Sequence, residues 1–132
     1  MVYLDTPQAL VRWDEPTKTA FIEWRGFADG QDYRNALNTL LEVMTSRGTR
    51  KILADTRLSK VITPEDQVWV TTNWMPRAVQ AGFKWSALIV PKSALGKMSI
   101  DRMVEKLGPD NVVETKYFDD LEKARKWLRS VG

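Results

Sequence analysis

Apolar and polar positions along this chain follow two alternating rhythms. From Gln8 to Gly26 the pattern is short and β-prone: "QALVRW" and "KTAFIEWRG" are separated by "DEPT", Asp14 to Thr17, which reads as a hairpin loop. In "DGQDYRNALNTLLEVMTSRG" the rhythm lengthens. Tyr33, Leu37, Leu40, Leu41 and Met44 recur at helical spacing and predict one apolar stripe. Asp29 is placed to cap that helix, and Gly48 to end it in a left-handed conformation. "RKILAD" then predicts a short strand with a continuous apolar centre.

The second half repeats the alternation. "TPEDQVWVTTNWM" opens a helix, with Thr63 as cap, Pro64 at the first helical position, and Glu65 and Asp66 in the first turn, where the helix dipole favours acids. Pro76 lacks a backbone donor and is expected to kink or break this helix, with a second segment running on to Ala81 and stopping at Gly82. "FKWSALIV" predicts a strand whose "ALIV" is buried on both faces. Ile100, Met103, Val104 and Leu107 mark a third helix, stopped by Gly108-Pro109. "NVVETKYF" is the last strand and "DDLEKARKWLRSVG" the last helix, with Asp119 and Glu122 at capping-box spacing.

The resulting order, β-β-α-β-α-β-α-β-α, predicts an α/β fold. A leading hairpin and then mostly parallel strands would form a mixed sheet of four to five strands with four helices packed on it, "KILAD" and "SALIV" being central. The whole chain, 1–132, is expected to be a single domain.

Composition changes this picture mainly by exclusion. The 132 residues include no histidine and no cysteine. That removes imidazole acid–base chemistry, thiolate nucleophiles, disulfides and the ordinary zinc sites. The net charge is only +3. Lys123, Arg125, Lys126 and Arg129 are spread over the end of the last helix, where cations complement the dipole, so no nucleic-acid partner is expected. No apolar run approaches the roughly 20 residues of a membrane span. "MVYLDTPQ" lacks the features of a secretion signal, and a cytoplasmic location is expected. "PKSALGKMS", residues 91 to 99, is partly like a phosphate-binding loop. It fails at both ends, with Pro91 in place of the first glycine and Met98 in place of the magnesium-binding hydroxyl.

"FIEWRG" before the first long helix, "KILADTR", "ITPEDQVW", "GFKWSALIVP" and "YFDDLEKARKWL", taken together, resemble the STAS domains of bacterial anti-sigma-factor antagonists. The closer likeness is to the divergent STAS/SEC14-like group. The resemblance implies a regulatory, protein-binding module. In the phosphorylatable antagonists a serine within an "SSG"-like stretch opens the helix after the central strand. Here that region reads "SKVITPEDQ". Thr63 and Ser59 are the nearest hydroxyls and the serine-glycine pair is missing, so the expectation is that Thr63 caps the helix and is not a phosphosite.

Several residues are candidates for a site. Ligands bind outside the carboxyl ends of strands in open α/β sheets. Asp55 ends one such strand, and Lys92 and Ser93 follow another. If those strands are neighbours, Asp55, Arg57, Ser59, Thr63, Lys92 and Ser93 share one rim. The plainer reading has Asp55 closing a turn or pairing with Arg57. Six tryptophans are present, and most are expected in the core. Trp69 and Trp74 are five residues apart and cannot share a tight helical stripe, so this helix is apolar over much of its circumference. It is either buried, a partner face or the wall of an apolar pocket.

The first reading of function is a non-enzymatic regulatory or protein-interaction module, docking through the second helix and the loop before it, with a homodimer left open. The alternative is a binder or sensor of a small apolar or lipid-like ligand. Catalysis by Asp55 with Lys92 ranks last, because nothing in the spacing demands it. No cofactor and no metal is expected.

Overall fold

The computed structural model describes residues 1–108 and 110–132. Alternation builds the first three strands, β1 (Val2–Asp5), β2 (Ala9–Asp14) and β3 (Thr19–Trp24). The turn between β2 and β3 is Glu15 to Lys18, with Lys18 in the left-handed region at φ 55°. Asp14 therefore belongs to the strand and not to the loop.

Parallel strands follow with helical crossovers. They are α1 (Gly30–Arg47), β4 (Lys51–Asp55), α2 (Pro64–Trp69), a π turn (Val70–Trp74), α3 (Met75–Gln80), β5 (Trp85–Ile89), α4 (Ala94–Leu107), β6 (Glu114–Phe118) and α5 (Leu121–Ser130). The sheet order is β1-β2-β3-β4-β5-β6, antiparallel as far as β3 and parallel from β3 to β6.

Among the described residues the sheet thus has six strands, not the four to five expected. The extra one is β1, from a stretch read only for signal-peptide features. It is four residues long, mostly exposed and bulged between Val2 and Leu4, so it carries almost no buried apolar pattern to read. "KILAD" and "SALIV" are both internal, as expected. The last strand begins at Glu114, leaving Asn111 to Val113 outside it. Gly108 caps α4 at φ 72°. Pro109, the other half of the expected stop, lies outside the described residues.

α2, the π turn and α3 form one continuous rod, so the helices number four among the described residues. Pro76 does not break the rod. The π turn widens it just before the proline, and Thr71 and Thr72 donate their hydroxyls back to Gln67 O at 3.1 Å and Val68 O at 2.7 Å.

Two helix starts differ from expectation. Asp29 stands at the cap of α1 but makes no side-chain cap bond; the Gly30 N–H donates instead to Asp66 Oδ2 of α2, at 3.0 Å. α5 is capped by Asp120, which accepts from Glu122 N at 2.6 Å, while Asp119 pairs with Lys123. Gly48 ends α1 left-handed at φ 68°, as expected, its N–H reaching Thr45 O.

The sheet separates two apolar layers. On one face Ile22, Ile52 and their neighbours pack against α1, Val70, Trp74 and Ile100. On the other, Phe21, Leu53, Ala87 and Ile89 pack against Ala124 and Leu128 of α5. Strand alternation sends each side chain to one layer or the other.

Candidate functional site

The carboxyl ends of β3, β4 and β5 open onto a small polar cleft of about 180 Å³, lined by Glu23, Asp55, Arg57, Leu58 and Lys92. Asp55 is buried at its floor. Its Oδ1 accepts from Arg57 N at 3.1 Å and Arg57 Nε at 3.0 Å, and its Oδ2 accepts from an Arg57 guanidinium NH2 group at 2.7 Å. The hydrogen bond to Asp55 raises the Arg57 guanidinium above its ordinary value. Glu23 is likewise paired, with Arg25 Nε at 3.0 Å. A carboxylate held on both oxygens by its own neighbour is closing a turn and holding a strand end. Lys92 is exposed, and its N–H donates to Arg57 O at 3.2 Å, which ties the two strand ends together.

A second hollow lies on the opposite face of the sheet, between it and α1, α2–α3 and α4. It has a volume of about 120 Å³. Ile22, Ile52, Ala54 and Leu88 form its floor, and Leu40, Val70 and Trp74 part of its roof. Trp74 is fixed there because its Nε1 donates to Leu37 O at 2.8 Å and its ring meets Phe83 edge-on at 6.1 Å. Trp24 stacks on Tyr33 at 4.8 Å. Burial pushes the Tyr33 phenol well above its ordinary value, which keeps it neutral. Thr56, Ser59, Lys60 and Val61 close the carboxyl end of the hollow.

The structure therefore divides the sequence candidates. Asp55, Arg57 and Lys92 share the polar cleft. Ser59 and Trp74 line the apolar cavity. Thr63 and Ser93 line neither; each caps a helix, Thr63 accepting from Asp66 N at 3.2 Å and Ser93 from Gly96 N at 3.2 Å. Trp69 sits outside both hollows, half-buried, with the Arg34 guanidinium 5.3 Å and the Arg77 guanidinium 5.9 Å from its ring centroid. Strand parity accounts for the split. Ala54 and Thr56 point to the cavity, so Asp55 between them points to the other layer.

Sequence reasoning missed Asp66 as an organising residue. Read as a first-turn acid, it is in fact buried, and it binds Gly30 N, Arg34 Nε at 3.3 Å and the Thr63 hydroxyl at 2.9 Å. It fastens the start of α2 to the start of α1. The loop before α2 is fastened on its other side as well. Ile62 N donates to the Ser99 hydroxyl at 3.1 Å, Gln67 Nε2 donates to Ile62 O at 2.9 Å, and Lys106 reaches Gln67 Oε1 at 3.1 Å. A side chain at Gly96 would stand 2.9 Å from Ser59 O, so only glycine lets α4 lie this close to the loop. No local pattern signals these long-range partners.

No helix among the described residues is long and apolar enough to cross a membrane. A search of curated proteins and a search of solved structures each found no match. A family model described as SpoIIAA-like matches residues 19–129, from the start of β3 into the last turn of α5. That span covers both hollows and all four helices, and the chain belongs to the SpoIIAA-like family.

Proposed function

We propose that this domain is a non-enzymatic regulatory module that acts by binding, and that it binds a small apolar molecule in the cavity beneath α2–α3. Membership of the SpoIIAA-like family supports the regulatory part of this reading. The cavity carries the rest. Trp74, Leu40, Ile52 and Leu88 line a half-open space that is mostly apolar. Empty apolar space forfeits contacts on every wall, so an occupant of matching shape gains them at once. The same geometry disfavours catalysis. Asp55 is spent on Arg57, and the candidate base and the cavity lie on opposite faces of the sheet.

The size of the cavity narrows the ligand. Pockets for drug-sized molecules run from about 300 to 1,000 Å³, whereas an engineered cavity of about 150 Å³ takes benzene. At about 120 Å³ this cavity suits a single ring or a short branched chain, and a lipid tail would require α2–α3 to move away. Toluene is the simplest probe. Titration should give a saturable change in tryptophan emission, because Trp74 and Trp24 form part of the wall. Ala54→Leu, which fills the floor, should abolish that change while the protein stays folded. No saturable change with the native chain would defeat the reading.

A protein partner is the second reading, and a specific feature favours it. Leu58 and Val61 in the loop before α2, and Leu95 and Met98 at the start of α4, are all exposed. The close approach at Gly96 brings these two segments together. Native mass spectrometry of protein from its own host should then show a defined complex that Leu58→Ser with Leu95→Ser dissolves. Observing only the free chain would count against it.

A further inference from the structure

The cavity wall has one feature that pure apolar binding does not use. Ser86 on β5 and Thr115 on β6 face directly into it, side by side in register. Each is half-buried. Of the other hydroxyls in this layer, those of Ser59 and Tyr33 stand singly on the cavity wall without a side-chain partner among the described residues, while two more are committed to the protein. Thr56 gives its hydroxyl to Ile89 O, and the Ser99 hydroxyl joins Leu95 O and Ile62 N. Those of Ser86 and Thr115 have no protein partner among the described residues. Neither hydroxyl is cut off from solvent, so water can serve them while the cavity is empty, and a ligand that displaces that water binds best if it brings a polar group to replace its hydrogen bonds.

We propose that Ser86 and Thr115 form the polar end of the cavity, and that its ligand is an uncharged molecule of about benzene's size carrying one hydroxyl, a phenol being the simplest member. This rests on the cavity reading above. The pair can serve such a group in both directions: one hydroxyl accepts its proton and the other donates to its oxygen. Ile52, Leu88, Phe83 and Val104 would surround the ring.

The charge of the ligand follows from the wall. Among the residues lining the cavity, the ionisable ones are Tyr33, whose phenol burial keeps neutral, and Lys60, exposed at the opposite end beside Ser59. Lys60 apart, none of the lining residues is cationic, so a carboxylate at Ser86 and Thr115 has no matching charge in the wall, and none is acidic, so an ammonium is equally unmatched.

Three matched probes test this: toluene, phenol and benzoate, each followed by amide chemical shifts of the native chain and of the Ser86→Ala, Thr115→Val and Ser59→Ala variants. The expected order is phenol tighter than toluene by about three- to tenfold, the range one or two net hydrogen bonds supply, with benzoate not binding. Ser86→Ala and Thr115→Val should each reduce phenol towards toluene. They should leave toluene binding no weaker, which also reports that the fold is intact. Ser59→Ala, at the other end of the cavity, should weaken phenol less than either of them. Toluene binding as tightly as phenol, or phenol weakened by Ser59→Ala in place of the other two, would overturn the assignment of the polar end and leave the cavity reading standing. Benzoate as the preferred probe would overturn the uncharged class. Failure of all three probes would defeat the cavity reading itself, and this inference with it.

Discussion

Asp14, at the end of β2, is fully buried and accepts from three side chains: Arg12 at 3.0 Å, Arg125 at 2.8 Å and the Thr17 hydroxyl at 2.6 Å. Burial alone would raise its pKa. The hydrogen bonds from Arg125, Thr17 and Arg12 together outweigh that and hold the carboxyl below its ordinary value. The sign of its effect on stability follows from that direction. A carboxylate whose folded value is depressed stabilises the fold above its unfolded value, near 4, and loses that contribution as pH falls through the folded value. Asp14→Asn should therefore cost about 1–3 kcal/mol at pH 7. Its cost should shrink as the pH drops below about 4. Urea titrations of both proteins at pH 7 and pH 3 check this; an equal gap at the two pH values would show that Asp14 does not titrate with folding.

Among the elements, α2 depends most on its partners. Its α-helical part is only six residues long, too short to hold alone. Thr63 caps it from within, and Asp66 ties it to α1. Thr63→Ala should lower stability by about 0.5–2 kcal/mol through the lost cap. Asp66→Ala leaves Gly30 N and the Thr63 hydroxyl without their acceptor and should cost at least as much, about 1–3 kcal/mol. Hydrogen exchange distinguishes the two from general loosening. Amides of residues 64–80 should lose protection before those of β4 and β5 do. Uniform loss across the sheet would mean that α2 is not a separable unit.

At the scale of the whole molecule, the two apolar layers are not equivalent. The α5 layer is closed around Leu53 and Ile89, while the α1–α4 layer contains the cavity. Truncating a fully packed core isoleucine or leucine to alanine costs about 2–5 kcal/mol. Ile52 is 3 % exposed, whereas Leu88 is only half-buried on the cavity floor. Ile52→Ala should fall within that range. Leu88→Ala should cost less, about 2 kcal/mol at most, because the side chain already lacks neighbours on one side. Chemical denaturation of the two variants gives the comparison, and a Leu88→Ala loss above that of Ile52→Ala would contradict the placement of the cavity.

Periodicity alone determined much of this fold. The spacing of Tyr33, Leu37, Leu40 and Met44, the left-handed stop at Gly48, the cap at Thr63 and the internal strands at Ile52 and Ala87 are local consequences of side-chain shape and backbone preference, and they could be read in order along the chain. The absence of histidine and cysteine excluded whole classes of chemistry just as directly. Strand parity was also present in the sequence: Asp55 lies between Ala54 and Thr56 and had to face away from them, although the rim was read without it. The remainder was decided by the tertiary structure. β1 has too little buried pattern to be seen before it pairs with β2. Asp66 reaches Gly30 from 36 residues away, and Ser99 reaches Ile62 from 37. A cavity is a shortfall of volume among residues from every part of the chain, and no local pattern encodes what is missing between them.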